Sequence, residues 1–551
     1  MRLSGCPDLL TRLYQFIILL SINMMDFVST FFRMVERMLG VQLLKVLFSL
    51  KVSQNKMVLW LTVALSILAL LGSIVCFLMK SLLPVVPECI ETGEADTLRN
   101  RGKKESAVLQ ALLERVQPVT WVFAGDSITH GCMHTNYLCN YQEYFARAVK
   151  SSPERAYDTV VNTGVSGATT NELMEFFNAW VSDYQADAVF LCFGMNDCAT
   201  DGMTPEIYAR NLDEAVRLIR ESGAVPILQT PNTSSRQKKL APYLEAARTL
   251  AEQEDILCVD HNAFWLSHKK EVKKLMSDSI HPNEYGHLLW VRHLLQSLEI
   301  RFFAGGLYAS GSYHEIPLPE DKSPVKASFS LDEGKSALFV PYFTAGRPAV
   351  WVYLGGGTTA GIRFSQNGAR AYPEHIQEVA RWEMIGDEYT NRMRYTVNQA
   401  HEGDTVSDML LHYDEWTGSF HPAIVSIMPE FEVEGGQSPE AFEQDLRALV
   451  EKAKEGGALV ILQTPLTLRK DLESYLSTMR HMGEQEGVIL LDHALLAQET
   501  EAGNPQALGK WFDSNGLPNA EGELVIARNF CVTLMEVPKD SRILTKHYSC
   551  V

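Results

Sequence analysis

The sequence has no CxxC pair among its ten cysteines and no Cys/His grouping at zinc-finger spacing, so it offers no structural zinc site. It has no P-loop and no RRM, KH or helix-turn-helix signature. It also lacks a surplus of positive charge: 49 Lys and Arg stand against 67 Asp and Glu, a net charge of −18. Phosphate backbones bind to basic faces, so nucleic acid is excluded as a partner and the acidic balance reads as a solvated surface. Disulfide bonding stays open. Cys132 with Cys139, or Cys192 with Cys198, would pair in an oxidising compartment; free, mostly buried thiols are the preferred reading.

What is present is a globular composition, 46% hydrophobic and 21% charged, on a chain of 551 residues. That length exceeds one ordinary core, so two or more domains are expected. Near the front, MVLWLTVALSILALLGSIVCFLM (57–79) is an uncharged run of the roughly 20 residues that cross a bilayer as a helix. No small-residue cleavage site follows it, and Val75 precedes Cys76 where a lipoprotein box needs a small residue. An uncleaved anchor is therefore expected. Arg33, Arg37, Lys45, Lys51 and Lys56 precede the run, whereas Lys80, Glu88, Glu91 and Glu94 follow it. Basic flanks stay in the cytoplasm, which puts everything after Lys80 outside. Residues 1–56 form a basic and apolar cytoplasmic segment. Its stretch 13–32, interrupted by Asp26, is either a second span or part of an overextended start. Residues 80–116 read as a stalk ending in a short helix.

From 117 to 302, short β-rich runs alternate with amphipathic stretches. The runs are VTWVFAG (119–125), DTVVN (158–162), AVFLCFG (188–194), AVPILQT (224–230) and DILCVD (255–260). Such alternation predicts a parallel sheet covered by helices, with ligands beyond the carboxyl ends of the strands. Four loops at that edge carry reactive residue types: Gly125-Asp126-Ser127, the Asn162–Gly167 loop, Gly194-Met195-Asn196-Asp197, and Asp278-Ser279-Ile280-His281. Each alone is a weak signal; in this order they form a set. A serine hydroxyl needs a base to become nucleophilic, and an imidazole needs a carboxylate to fix its tautomer. Ser127, His281 and Asp278 supply those three groups.

These four blocks resemble those of the SGNH hydrolases, the GDSL-type lipases and esterases. The resemblance covers about a third of the chain. It implies a flavodoxin-like three-layer α/β/α fold and ester chemistry without metal or other cofactor. It assigns Ser127, Asp278 and His281 as catalytic. It also implies an oxyanion hole from the backbone N–H groups of Ser127 and Gly167 and the side-chain amide of Asn196, with Gly125, Asp126, Gly194 and Asp197 as motif support. His130 and His134 are candidates to touch substrate. His261, His287 and His293 read as structural or surface residues, and Trp121 and Trp265 as core or rim.

The second half repeats the first. Trp121-Val122-Phe123 returns 230 positions later as Trp351-Val352-Tyr353, and ILQTP at 227–231 returns 234 later at 461–465. Val161-Asn162 and Gly167 return 236 later as Val397-Asn398 and Gly403, and Asp260-His261 returns 232 later as Asp492-His493. Near-constant offsets of this kind predict an internal duplication. The reactive set does not return: Gly357 stands opposite Ser127, Phe431 opposite Asn196, and Gly516-Leu517 opposite His281. The expected organisation is thus an anchor (57–79), a catalytic SGNH domain (117–302), a Pro-containing linker (303–347) and a degenerate SGNH-like domain (348–551). The second domain is expected to dock on or assist the first. The expected function is a membrane-anchored extracytoplasmic esterase for carboxylic, O-acetyl esters, with wall or capsular glycans as candidate substrates. An O-acyltransferase using the same triad, a lysophospholipase or lipase, and a glycan-binding scaffold are the alternatives. The absence of a long apolar lid insertion counts against a lipase, and the intact block set counts against the scaffold.

Overall fold

The computed structural model describes residues 103–545, apart from 269–271, 301–328, 345–346, 362–367, 385–391, 431–436 and 486. The expected anchor at 57–79, the segment before it and most of the stalk lie outside the described residues. Among those described, no helix is long and apolar enough to cross a membrane.

Runs rich in β-branched and aromatic residues form the strands β1 (Thr120–Gly125), β2 (Thr159–Asn162), β3 (Ala188–Cys192), β4 (Val225–Gln229) and β5 (Leu257–Val259). They are buried almost throughout, which suits near-continuous apolar runs in a parallel sheet covered on both faces. Their order is β2-β1-β3-β4-β5, all parallel. Phe123 and Phe190 lie in register on β1 and β3, and their rings stack 4.1 Å apart. Parallel crossovers are right-handed. The connection from β1 to β2 and the one from β2 to β3 run in opposite directions across the sheet and therefore fall on opposite faces, and the loops at the carboxyl ends of these strands gather between them.

The second half builds β6 (Ala349–Gly355), β7 (Arg394–Asn398), β8 (Ile424–Met428), β9 (Leu459–Gln463) and β10 (Val488–Leu491). Their order, β7-β6-β8-β9-β10, follows the same pattern and is again parallel. A helix precedes the first strand of each half. Lys103–Glu114 precedes β1, and its Glu105 accepts from the Leu257 backbone N–H at 2.8 Å. Glu333–Phe343 precedes β6, with Phe339 packed edge-on against Trp351 and Phe530. The latter helix lies within the segment expected to be linker; the apolar face containing Phe339 and Phe343 makes it part of the second core.

Two separate parallel sheets were the expectation. The structure instead has one ten-stranded mixed sheet, closed in the middle by an antiparallel pairing of β2 with β7 at Val161 and Val397. An uncovered edge strand presents unpaired N–H and C=O groups, and neither VVN nor TVN carries a charge that would deter pairing. One hydrophobic core runs through both halves. Buried polar contacts reinforce the seam. Gln399 Nε2 donates to Thr159 Oγ1 at 2.6 Å, Lys150 Nζ to the Asn398 carbonyl at 2.7 Å, and Arg370 Nε to Glu143 at 2.9 Å. Arg370 also pairs with Glu378 and is 1% exposed.

Removing one member of a buried ion pair strands the other without compensation, at a cost of about 3–5 kcal/mol. Arg370→Met is therefore expected to destabilise the chain by that order, in a transition where both halves lose structure together. Denaturant unfolding followed by Trp fluorescence and far-UV circular dichroism checks this, and unchanged stability would contradict it.

Candidate active site

The loop after β1 turns at Gly125, where a Cβ would stand 2.1 Å from Thr129 Oγ1 and 2.7 Å from the Cys192 carbonyl. Only glycine lets the short helix Ser127–His130 start so close to β3. Asp126 caps that helix, its carboxylate accepting from the Ile128 N–H at 2.9 Å, a standard use of aspartate at a helix start. Ser127 is left half-buried as the first helical residue.

Ser127 Oγ lies 2.9 Å from His281 Nε2, and His281 Nδ1 lies 2.8 Å from Asp278 Oδ2. Asp278 Oδ1 accepts from the backbone N–H groups of Ile280 and His281 at 2.7 and 2.8 Å. One carboxylate thus folds the loop and faces the imidazole it orients. Partial burial pushes the Asp278 carboxyl up, but the His281 N–H groups and the Ile280 N–H outweigh it and hold it at about 2. It stays ionised at neutral pH. With Nδ1–H donated to Asp278, Nε2 is free to accept from the Ser127 hydroxyl.

Gly167 is exposed and sits at φ +90°, in the left-handed region that favours glycine. Its loop is fixed from both sides: Val165 N–H donates to the Gly125 carbonyl at 2.9 Å, and Ala168 N–H to the Val165 carbonyl at 3.0 Å. Asn196 Nδ2 donates to the Ala168 carbonyl at 3.0 Å, which holds the amide beside the Gly167 loop. Asp197 ties the two loops together. It accepts from Thr170 N–H and Oγ1 at 2.9 and 2.7 Å and from Gly194 N–H at 3.0 Å. Gly194 has φ +116°.

The histidines separate by burial. His130, a candidate to touch substrate, is fully buried and bonds Ser166 Oγ through Nδ1 at 2.8 Å; it supports the loop from beneath. His134 is half-buried and lies flat on His281, ring centroids 3.9 Å apart. Burial and the neighbouring imidazole lower its pKa to about 4, so it faces His281 as a neutral ring. His134, Asp278 and His281 could also hold a metal ion among them. His261, His287 and His293 are buried. His261 bonds Gln229 and His293, and His287 Nδ1 accepts from Tyr141 N–H at 3.2 Å. Trp121 and Trp265 are fully buried. The six cysteines among the described residues are buried thiols outside any disulfide, including Cys132, Cys139, Cys192 and Cys198.

Residues 123–289 match the GDSL-like lipase/acylhydrolase family. They are a GDSL-like lipase/acylhydrolase domain. Among solved structures, the acetylxylan esterase Axe2 of Geobacillus stearothermophilus is 22% identical. The likeness covers 34% of this chain and 97% of that one, with a TM-score of 0.31. LAE5, an alpha/beta hydrolase enzyme from the metagenome of Lake Arreo, Spain, is 25% identical over 34% of this chain and 98% of its own, with a TM-score of 0.30. No curated protein matches the chain.

Within the GDSL-like domain and beyond it, the structure adds residues that no motif announced. Arg236 Nη1 donates to the Met195 carbonyl at 2.9 Å and lies 3.4 Å from Asn196 Oδ1. From the second half, Arg392 Nη1 donates to the Ser166 carbonyl at 2.7 Å. Arg381 donates to the carbonyls of Asn162 and Gly164. Glu378 accepts from Met133 N–H at 3.1 Å, and Arg542 donates to the Met133 carbonyl at 3.0 Å. The loop carrying His134 is thereby tied to the second half.

At the matching place in the second half, Gly357 starts a helix after β6. The cap there comes from elsewhere: Glu430, just beyond β8, accepts from Thr358 N–H at 2.6 Å. A Cβ on Gly356 would stand 2.6 Å from the Glu430 carboxylate. Glu430 occupies space that an aspartate at 356 would need. Phe431 lies outside the described residues.

Asp126 carries a separable consequence. Burial and the charge of Asp197, against the Ile128 N–H, push its carboxyl up to about 7. A group with a raised folded-state pKa binds its proton more tightly when folded, so it costs stability as pH rises from about 4 to about 7. Asp126→Asn, which keeps the capping oxygen, should therefore raise Tm more at pH 8 than at pH 5. Equal shifts at both pH values would contradict the assignment.

Proposed function

We propose that the chain is a serine esterase in which Ser127, His281 and Asp278 act as the catalytic triad. The observation that carries this reading is the unbroken line from Ser127 Oγ through His281 to Asp278, at 2.9 and 2.8 Å. In the proposed reaction Ser127 Oγ attacks the ester carbonyl carbon as its proton passes to His281 Nε2. The tetrahedral oxyanion is met by the N–H groups of Ser127 and Gly167 and by the Asn196 amide. His281 then returns the proton to the departing alkoxide, leaving an acyl-serine. Water, deprotonated by His281, attacks that acyl group and restores the serine.

Carboxylic esters of small acyl groups, O-acetyl esters on glycans outside the cell, are the proposed substrates. The half-buried serine and the outward orientation read from the apolar run 57–79 and its basic flank support this placement. The second half is proposed as a degenerate copy of the first that has no ester chemistry of its own. Supporting this are the repeated strand order and a repeated set of hydrogen bonds. Asn162 donates to the Thr129 carbonyl at 2.8 Å and Asn398 to the Thr359 carbonyl at 2.7 Å. Thr230 bonds Asp260 at 2.9 Å and Thr464 bonds Asp492 at 3.0 Å. His261 bonds Gln229 at 3.1 Å and His493 bonds Gln463 at 2.9 Å.

A fluorophosphonate probe on the purified chain, with acetate release from aryl acetates and acetylated oligosaccharides, tests the esterase. Labelling is expected at Ser127. Ser127→Ala should abolish both labelling and turnover, a loss of up to about 10⁶ by analogy with another serine hydrolase. Asn196→Ala should lower kcat by about 10²–10³ with a smaller change in KM. Wild-type turnover in Ser127→Ala would remove the mechanism.

The placement has its own test. Protease added to intact cells should cut the chain beyond residue 80, and protection until lysis would reverse the orientation.

A further inference from the structure

Two amides are proposed to meet the oxyanion besides the Ser127 N–H: the Ser166–Gly167 peptide and the Asn196 side chain. Each has a carbonyl oxygen as well as an N–H, and in each case an arginine reaches that oxygen. Arg392 Nη1 donates to the Ser166 carbonyl at 2.7 Å, and this carbonyl belongs to the same peptide unit as the Gly167 N–H. Arg236 Nη1 lies 3.4 Å from Asn196 Oδ1, the oxygen of the same amide whose nitrogen faces the Gly167 loop. Arg236 also holds the Met195 carbonyl at 2.9 Å, so its guanidinium spans the residue before Asn196 and the side chain itself. The two arginines come from different places: Arg236 precedes the helix Gln237–Gln253 of the first half, and Arg392 precedes β7 of the second.

We infer that Arg236 and Arg392 are positioning residues for the oxyanion hole, each donating to the carbonyl of an amide whose N–H meets the developing alkoxide. This inference rests on the esterase reading above. A charged donor on an amide oxygen draws electron density from the nitrogen and strengthens the N–H as a donor; linked hydrogen bonds reinforce one another by this route. Charge-assisted bonds are also about twice as strong as neutral ones, so each amide plane is held in orientation before substrate arrives. For Asn196 the contact fixes which end of the amide is oxygen, since a guanidinium has only donors to offer. For Gly167 the guanidinium fills space beside the residue, with Nη1 3.6 Å from where a Cβ would stand. The effect grows as charge builds on the substrate oxygen. It is felt in the transition state and little in the ground state.

Arg392 gives the second half a specific task. It has no serine of its own at the matching place, yet it supplies the cation that orients one of the donors of the first half. Arg381 works beside it, fully buried, on the carbonyls of Asn162 and Gly164 in the same loop.

The test uses the full chain and an aryl acetate. Arg392→Met and Arg236→Met should each lower kcat about tenfold, a fraction of the roughly 10²–10³ for losing a donor outright, with KM within about twofold of wild type. Arg392→Lys keeps the charge but not the planar fork, and should recover part of the loss. A fall carried by KM alone, or a Met variant with wild-type kcat, overturns the proposal. So does a Lys variant no better than Met, because a role limited to loop folding would not follow charge. Where Arg392→Met does not fold, as judged by its melting curve, Arg392→Lys decides: about a threefold lower kcat supports the inference and wild-type kcat overturns it. Probe labelling of Ser127 in the wild type separates the two levels. With labelling and turnover present, unaltered arginine variants sink this inference alone; with neither, the esterase reading fails first.

Discussion

The antiparallel meeting of β2 and β7 is the constraint on which the rest of the architecture depends. Each half brings one edge strand, β2 or β7, whose backbone groups on that side would otherwise be unpaired. Joining them satisfies both edges at once. Val161 faces Val397, its counterpart 236 positions on, so matching residues meet across the seam as in the self-complementary interface of a symmetric dimer. The loops that follow β1 and β2 carry Ser127 and Gly167, and this pairing brings the second half up against both. Arg392, Arg381, Glu378 and Arg542 can reach those loops only because the seam is there.

On the proposed reading of the second half as a copy of the first, the pattern of retention follows from what each contact is for. Hydrogen bonds that hold strands, turns and helix starts are kept in kind even where the residue changes. His287 and Glu523 stand 236 positions apart, and each accepts from the N–H at the start of a helix, Tyr141 in one half and Tyr372 in the other. Asp126 and Glu430 cap matching helices from different strands. Backbone donors buried near a core must be satisfied, and any acceptor of suitable reach will serve. A nucleophile and a base allow no such latitude, because their roles depend on one atom type at one place.

Much of this was legible in the sequence, for physical reasons. The strands were readable because buried parallel strands are continuous β-branched runs flanked by helical patterns. The four loops were readable because glycine, serine, asparagine and the Asp–His pair recur at the sheet edge where ligands bind. The joined sheet was not readable: nothing in DTVVN or RYTVN says which neighbour an edge strand will take. Arg236 and Arg392 were invisible for another reason. They act through backbone and amide carbonyls, which every residue or many residues possess, so no spacing marks them. His130 looked like a substrate contact because it follows the serine by three residues, but that spacing returns it to the buried face of a short helix.

On the proposed reading of the second half as a copy, its loop around Asp513 stands beside the loop carrying Asp278 and His281. Asp513 keeps the turn-forming role of Asp278, accepting from the N–H groups of Asn515 and Leu517 at 2.8 and 3.0 Å. Met276 bridges to Pro282, and Phe512 bridges to Pro518 in the same way. Yet the aspartate precedes the proline by four positions in the first loop and five in the second. The extra residue is accommodated at Gly516, with φ +79°. Leu517, not Gly516, therefore takes the backbone place of His281, and an apolar side chain points from the position where the base would stand. The two loops thus differ in length as well as in residue type at this place. Residue 357 is glycine, and in both loops the aspartate oxygen holds the turn by accepting backbone N–H groups.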